Sequence, residues 1–492
     1  MTGQALGLIF LLPFSAAIAM PLLGSWRRAW CRPLALSSVG LMALSALFGV
    51  YTVATQGPVR YVLGGWDPPV GIVFILDGLS GLLAVTLSLV SLTSLFFGGP
   101  ALPKDLGGKT VPYHTLVLLL ISALAGITLA GDLFNLFVFL EVSALCTYAL
   151  VGLAGGRALI AAFRYLILGT IGASFYLLGV GYFYAATGTL NMADFLSILP
   201  TVLESKAVLT GLIFIFLGLA IKAAIVPLHG WLPDAYSHAP DAVVPLLASL
   251  VTKASLYAMT RITFWVLGAA TLTYEFPLLS MIGFAGAVAA VVGAFLSLTQ
   301  QDLRRMFAYG GISHIGLIVV GVSLGNKTGF AGGIFYLLND AVMQATLFVI
   351  AGILAHRFGA RELGHLRNLG IQAPWTSIAL IVTALSMIGI PPTGGFFGKW
   401  YMVLGALEAG NYWAVAAIFT STLLTLAYFV RIIERMFGQR SSDSPPLSPA
   451  SEGPMEMRVS MGILAASILL LGLFSDWMVG LILRSAVPPG LG

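Results

Sequence analysis

Six side chains able to take up or release a proton, Glu141, Lys222, Lys253, His314, Asp340 and Lys399, stand in stretches otherwise suited to hydrocarbon. Three amines, two carboxylates and an imidazole are the materials of a proton relay. Burial disfavours the charged form of a lone amine, and a nearby carboxylate restores it, so the spacing between partners decides who holds the proton. Charge near the centre of a membrane costs a few kcal/mol or more, which makes each of these residues a functional candidate by default. No cofactor or metal site is expected: Cys31 and Cys146 suggest neither a disulfide framework nor a metal centre. No motif for a flavin, an iron–sulfur cluster or a quinone is present.

The stretch 207–236, AVLTGLIFIFLGLAIKAAIVPLHGWLPDAY, shows the device most clearly. It begins as an apolar run, carries Lys222 into it, and is then interrupted by Pro227, His229, Trp231 and Pro233. Broken helices persist in membranes only where protein or a water-filled cavity satisfies the freed backbone. Residues 381–407 repeat the recipe with Pro391–Pro392, Gly394–Gly395 and Lys399, five spans later. An odd offset makes the two spans cross in opposite directions, as in an inverted-topology repeat, and paired broken helices point to an ion pathway. The expected repeats are 113–266 (spans four to eight) and 275–437 (spans nine to thirteen).

Composition sets the class. The chain has 492 residues, 59% hydrophobic and 9% charged, against about 25% charged in ordinary soluble domains. It is therefore an all-α polytopic membrane protein forming one membrane domain over 1–492. Hydropathy gives about fourteen spans, near 3–23, 33–54, 72–97, 113–130, 132–155, 158–187, 207–236, 241–266, 275–299, 304–324, 328–356, 373–407, 411–437 and 459–484. The first lacks a basic leader and is read as a true helix, not a signal peptide. The Ser/Pro-rich stretch 438–458 is expected to be a flexible cytoplasmic loop. With the N-terminus outside, sixteen Lys and Arg fall at inner loops or their edges, and only Arg60, Lys206, Arg261, Lys327 and Arg484 fall outside. That bias orients the chain with both termini outside.

Depth ties the candidates together. Glu141 lies about nine residues into its span, His314 about ten, and Lys253 and Asp340 about twelve. At about 1.5 Å per residue, all sit near the middle of a core about 30 Å thick. A row of ionisable groups at one depth suits lateral proton movement better than a solute pore along the membrane normal.

Each residue also has a plainer reading. Glu141 could bridge two helices, Lys253 could hydrogen-bond near Ser249, His314 could be a packing histidine, and Asp340 could contact Asn339 and Gln344. Asp77 in FILDGLSGL is shallower and reads as structural. His229 and His238 fit an access funnel or the interface, Arg304 and Arg305 inner anchors, and Trp231 and Trp400 packing or an interfacial belt.

Four stretches, LFNLFVFLEVSALCTYALVG, GLAIKAAIVPLHGWLPDAYSHAP, TQQDLRRMFAYGGISHIG and IGIPPTGGFFGKWY, together resemble the Mrp-type cation/proton antiporter subunits and the complex I antiporter-like subunits, over roughly residues 70–437. The resemblance implies fourteen helices with two inverted five-helix repeats. It makes Glu141 and Lys222 a pair, and Lys253 and Lys399 the lysines of the eighth and twelfth spans. One departure stands out. Many members carry a histidine and, four residues on, a lysine in the eleventh span, where NDAVMQATLFVIAG places Asp340 and Gln344. Gln344 does not titrate, so Asp340 with water, or His314, must link the central lysine to Lys399.

Length and the eighth-span lysine resemble the D-type branch of Mrp complexes or the similar subunits of membrane-bound hydrogenases. A complex I subunit with a long lateral C-terminal helix fits less well. The resemblance implies a multi-pass subunit in a bacterial or archaeal cell membrane, working with other membrane subunits on protons and Na+, without nucleic acid. In the Mrp reading proton influx drives sodium export. In the complex I or hydrogenase reading, redox chemistry in partners drives the ions, and this chain is not catalytic alone. A stand-alone solute symporter and a purely structural scaffold are the rival classes.

Overall fold

A computed structural model describes residues 2–66, 68, 71–202, 205–268, 277–438 and 452–491. Helices α1 (Thr2–Trp26) and α2 (Cys31–Gln56) lead into a two-stranded antiparallel sheet, β1 (Val59–Val62) and β2 (Val73–Leu76), with Val59 opposite Leu76. Then follow α3 (Gly78–Leu106), α4 (Thr110–Leu129), α5 (Leu133–Gly152), α6 (Arg157–Thr187) and the short α7 (Met192–Val202). Next come α8 (Lys206–Lys222), α9 (Trp231–His238), a continuous helical stretch α10 (residues 244–266), α11 (Leu278–Thr299), α12 (Leu303–Ser323) and α13 (Lys327–Phe358). The chain closes with α14 (Pro374–Ile388), α15 (Gly394–Glu408), α16 (Tyr412–Phe437), α17 (Met455–Leu473) and α18 (Ser475–Ser485).

Among the described residues, eleven helices are long and apolar enough to cross a membrane. The expected spans outside that set are the seventh, eighth and twelfth, and these are the three that carry Lys222, Lys253 and Lys399. Each is interrupted. The seventh is split into α8 and α9, and the twelfth into α14 and α15. In the eighth the α-helical ladder is interrupted by π-helical turns at Leu247–Val251 and Ile262–Val266. Insertions of this kind loosen the backbone ladder and occur mostly at functional sites.

Helix α13 is the axis of the bundle. Every residue from 329 to 355 is buried, and α3, α10, α12, α15 and α17 pack around it. Close approach explains the small residues along it: a Cβ added at Gly332 would come within 2.6 Å of the Met402 backbone nitrogen on α15. By contrast, α6 exposes Leu159, Ile160 and Phe163 by 57–61%, a surface suited to lipid.

Two expectations are revised and a third is narrowed. The last span begins at Met455, inside the stretch expected to be a flexible loop; residues 439–451 lie outside the described set. Just before it, Glu452 accepts hydrogen bonds from the Trp375 and Thr376 backbone nitrogens at 2.9 Å, capping α14 with a carboxylate where the helix end is positive. Of the two readings of Trp231, packing is the one that holds: it is 1% exposed and stacks on Tyr165 at 3.8 Å. Arg304 is not a free inner anchor, because it is buried, paired with Asp241, and donates to the Ala239 carbonyl.

Candidate functional site

The six candidates fall into three groups. The first joins α5 to the end of α8. Asp132 caps α5, accepting from the Asn135 backbone nitrogen at 2.6 Å, and the helix then carries Glu141 to Lys222, whose Nζ lies 2.9 Å from Glu141 Oε1. Lys222 is the last residue of α8. Beyond it Ala224 turns left-handed (φ 57°), and the Ile225 N–H donates back to the Ala220 carbonyl at 3.0 Å. This closure leaves a lysine at the very C-terminus of a half-helix, where the negative end of the dipole favours a cation. The carbonyl of Ile221, freed by the break, accepts from Trp231 Nε1 at 2.9 Å. Asp234 then ties α9 to α6 through Arg164 at 2.9 Å and to α12 through Arg305 at 3.0 Å.

The second group lies in the middle of the bundle. Lys253 Nζ lies 2.8 Å from Asp340 Oδ2 and donates to the Ala248 carbonyl at 3.0 Å. That carbonyl belongs to the π-turn, so the irregular backbone itself helps to hold the ammonium. Ser249 is occupied elsewhere, donating to Pro245. His314 Nδ1 stands 3.6 Å from Asp340 Oδ1 and 2.5 Å from the Tyr336 hydroxyl. Lys253, Asp340 and His314 are each at most 1% exposed. A lone charge here would be prohibitive, but a lysine–aspartate pair with added hydrogen bonds is tolerated.

The third group is Lys399 on α15. Its Nζ donates to the carbonyls of Met387 and Ile388 at 2.8 and 3.2 Å and to Thr422 Oγ1 at 2.9 Å. Those carbonyls end α14, where Gly389 (φ 89°) and the bond from the Ile390 N–H to the Leu385 carbonyl close the helix as at the first break. No carboxylate pairs with Lys399 among the described residues. His314 lies within electrostatic range of both Lys253 and Lys399.

The structure gives Asp340 and its neighbour Asn339 separate partners. Of the two neighbours expected for Asp340, Asn339 turns instead to Ser386 at 3.2 Å, whereas Gln344 interacts with it; Asp340 also pairs with Lys253 and faces His314. Among the described residues no direct hydrogen bond or ion pair joins the three groups. Several buried polar atoms along the row, His314 Nε2 and Asn339 Oδ1 among them, have no hydrogen-bond partner among the described residues, and buried groups of this kind are commonly satisfied by water.

Sequence reasoning missed the join between Asp77 and Arg261, which form a buried pair at 2.5 and 2.8 Å. Arg261, counted among the outer basic residues, is thus buried in an ion pair. The signal was its spacing of eight from Lys253, which puts both on one helix face. Of the two histidines near the first break, His229 contacts the ring of Tyr309, and His238 lines a polar cavity of 350 Å³ with Arg157, Asp241, Arg304 and Arg361.

Residues 130–425 match the family described as NADH:quinone oxidoreductase/Mrp antiporter, transmembrane. The chain belongs to this family. It is 39% identical to the NADH-quinone oxidoreductase N subunit of Desulforudis audaxviator, over 99% of both chains. It is 31% identical to the Na(+)/H(+) antiporter D subunit of Bacillus subtilis, covering 90% of this chain and 88% of that one. Among solved structures, a chain of the Mrp complex from Dietzia sp. DQ12-45-1b superposes with a TM-score of 0.88 at 27% identity, over 98% of this chain and 96% of that one. This is thus an antiporter-like membrane subunit of the Mrp and complex I family.

Proposed function

We propose that the chain moves protons within a multisubunit membrane complex, as the D-type subunit of an Mrp-type Na+/H+ antiporter. The observation that carries the proposal is that each buried lysine stands on one of the three interrupted spans, two of them in contact with a carboxylate. An amine in a low-dielectric interior keeps its charge only beside an anion or converging dipoles. Opening the Glu141–Lys222 pair therefore favours release of the Lys222 proton, and closing it favours uptake. The change passes by water to Lys253 and Asp340, then by His314 to Lys399, so that events at one end bias the other.

The face of α5 around Glu141 supports a partner there. Glu141 keeps a quarter of its side chain exposed, flanked by Phe134, Val138 and Leu145, which are 38–58% exposed. The matching closure of the two breaks supports the inverted repeats 113–266 and 275–437. The concentration of basic residues on one side supports an orientation with both termini outside.

A second reading, in which redox chemistry in partner subunits drives the ions, is favoured by the 39% identity to an NADH-quinone oxidoreductase subunit. Dye-based proton movement in everted vesicles carrying the whole complex separates the two. Exchange driven by a sodium gradient alone supports the antiporter. Movement that requires an oxidisable substrate supports the redox assembly. Unchanged movement after Lys222→Ala would leave a structural scaffold.

A further inference from the structure

Asp77 and Arg261 have no part in the relay above, yet they are among the most firmly held ionised groups in the molecule. Arg261 stands eight residues beyond Lys253 on α10, with Tyr257 midway, so all three lie along one helix face. Its Nη1 and Nη2 donate to the two Asp77 carboxylate oxygens at 2.5 and 2.8 Å, and its Nε donates to the Tyr257 hydroxyl at 3.0 Å. The guanidinium also lies over the Trp265 ring, 4.5 Å from its centre. The Tyr257 hydroxyl donates its own proton to the Thr128 carbonyl at 2.6 Å. Asp77 is fixed in turn as the cap of α3, accepting from the Ser80 backbone nitrogen at 3.0 Å, directly after strand β2.

We propose that this Arg261–Asp77 pair is an electrostatic seal that stops protons passing between Lys253 and the end of the bundle that carries the two-stranded sheet. The inference rests on the reading that Lys253 belongs to the ion route. A guanidinium is not deprotonated in proteins, so Arg261 cannot relay a proton as a lysine can. A fixed positive charge lining a narrow path is an established way to exclude protons and cations. Asp77 keeps the buried charge tolerable without releasing it, because both carboxylate oxygens are engaged. The hydroxyls between Lys253 and Arg261, those of Ser255, Tyr257 and Thr260, each donate to a backbone carbonyl, of Val251, Thr128 and Leu256 respectively. Ions therefore reach the Lys253 cluster only along the row of buried groups.

The test is the decay of an imposed pH gradient across proteoliposomes holding the whole complex, with no driving substrate present. Asp77→Asn with Arg261→Gln removes both charges and leaves neither partner ionised alone. This double variant is expected to dissipate the gradient several-fold faster than the wild type, and Arg261→Lys, which keeps the charge but offers an amine that can release a proton, is expected to leak as well. Adding Lys253→Met to the double variant is expected to restore tightness, which general loosening of the bundle would not allow. A double variant that assembles and holds the gradient like the wild type overturns the seal, as does a leak that persists without Lys253. Should the double variant not assemble, a leak through Arg261→Lys that Lys253→Met abolishes supports the seal, and a tight Arg261→Lys membrane overturns it. Driven transport that survives Lys253→Met alone would instead remove the underlying relay reading.

Discussion

The two broken spans close their first halves in the same way and then treat their lysines differently. In both, a residue in the left-handed region ends the helix, and an isoleucine N–H returns to a carbonyl five residues back, Ile225 to Ala220 and Ile390 to Leu385. At the first break the freed Ile221 carbonyl is capped by a neutral indole, and the lysine, on the near side of the break, faces a carboxylate. At the second break the lysine comes from the far side and is itself the cap, held by two carbonyls and a hydroxyl. An ammonium beside a carboxylate is held by a partner that can move away or be neutralised. An ammonium held by backbone dipoles has only fixed partners, and its occupancy must be set by charges further off. The first break is thus built to be switched, and the second to respond.

Breaking each lysine is expected to have the largest effect. Lys222→Ala and Lys399→Ala should each lower driven proton movement by about 100-fold or more, the usual worth of a positioned proton-transfer group, with assembly checked by co-purification. Asp340→Asn comes next. It leaves Lys253 buried without its anion, so a loss of about 3–5 kcal/mol is expected, read as a lower melting temperature alongside slowed transport.

The partners then sharpen the contrast between the breaks. Glu141→Gln should slow transport far more than Thr422→Val, since the latter removes one neutral hydrogen bond worth about 0.5–1.5 kcal/mol; initial rates in vesicles decide. The helix closures give the smallest effects. Gly389→Ala forces an L-residue into the left-handed region, costing about 1–2 kcal/mol, and brings a methyl within 3.1 Å of Lys399 Cδ. Ala224→Gly should recover about 1 kcal/mol by the same argument, leaving transport unchanged; thermal unfolding of both variants checks the pair.

Much of this was legible in the sequence. Pro227 and Pro391–Pro392 announced the two breaks, and ionisable residues inside apolar runs announced the row. The interruption in the eighth span was not legible, because a π-turn needs no proline or glycine: LASLV reads as ordinary helix, and the extra residue shows only in the backbone. Partners were legible only where spacing or family resemblance gave them. Glu141 and Lys222 followed from resemblance, whereas Lys253 with Asp340 and Asp77 with Arg261 are contacts between distant spans. For Trp231 the sequence left packing and an interfacial belt open; the break beside it supplies the buried Ile221 carbonyl that draws its indole N–H inward.

The central claim is that the interrupted spans exist to place lysines that exchange protons. Its most direct test is Lys399→Met in the assembled complex, since methionine keeps the stem but cannot hold a proton. Proton movement should cease while the complex still co-purifies and unfolds at a normal temperature. Full proton movement through that variant would contradict the account.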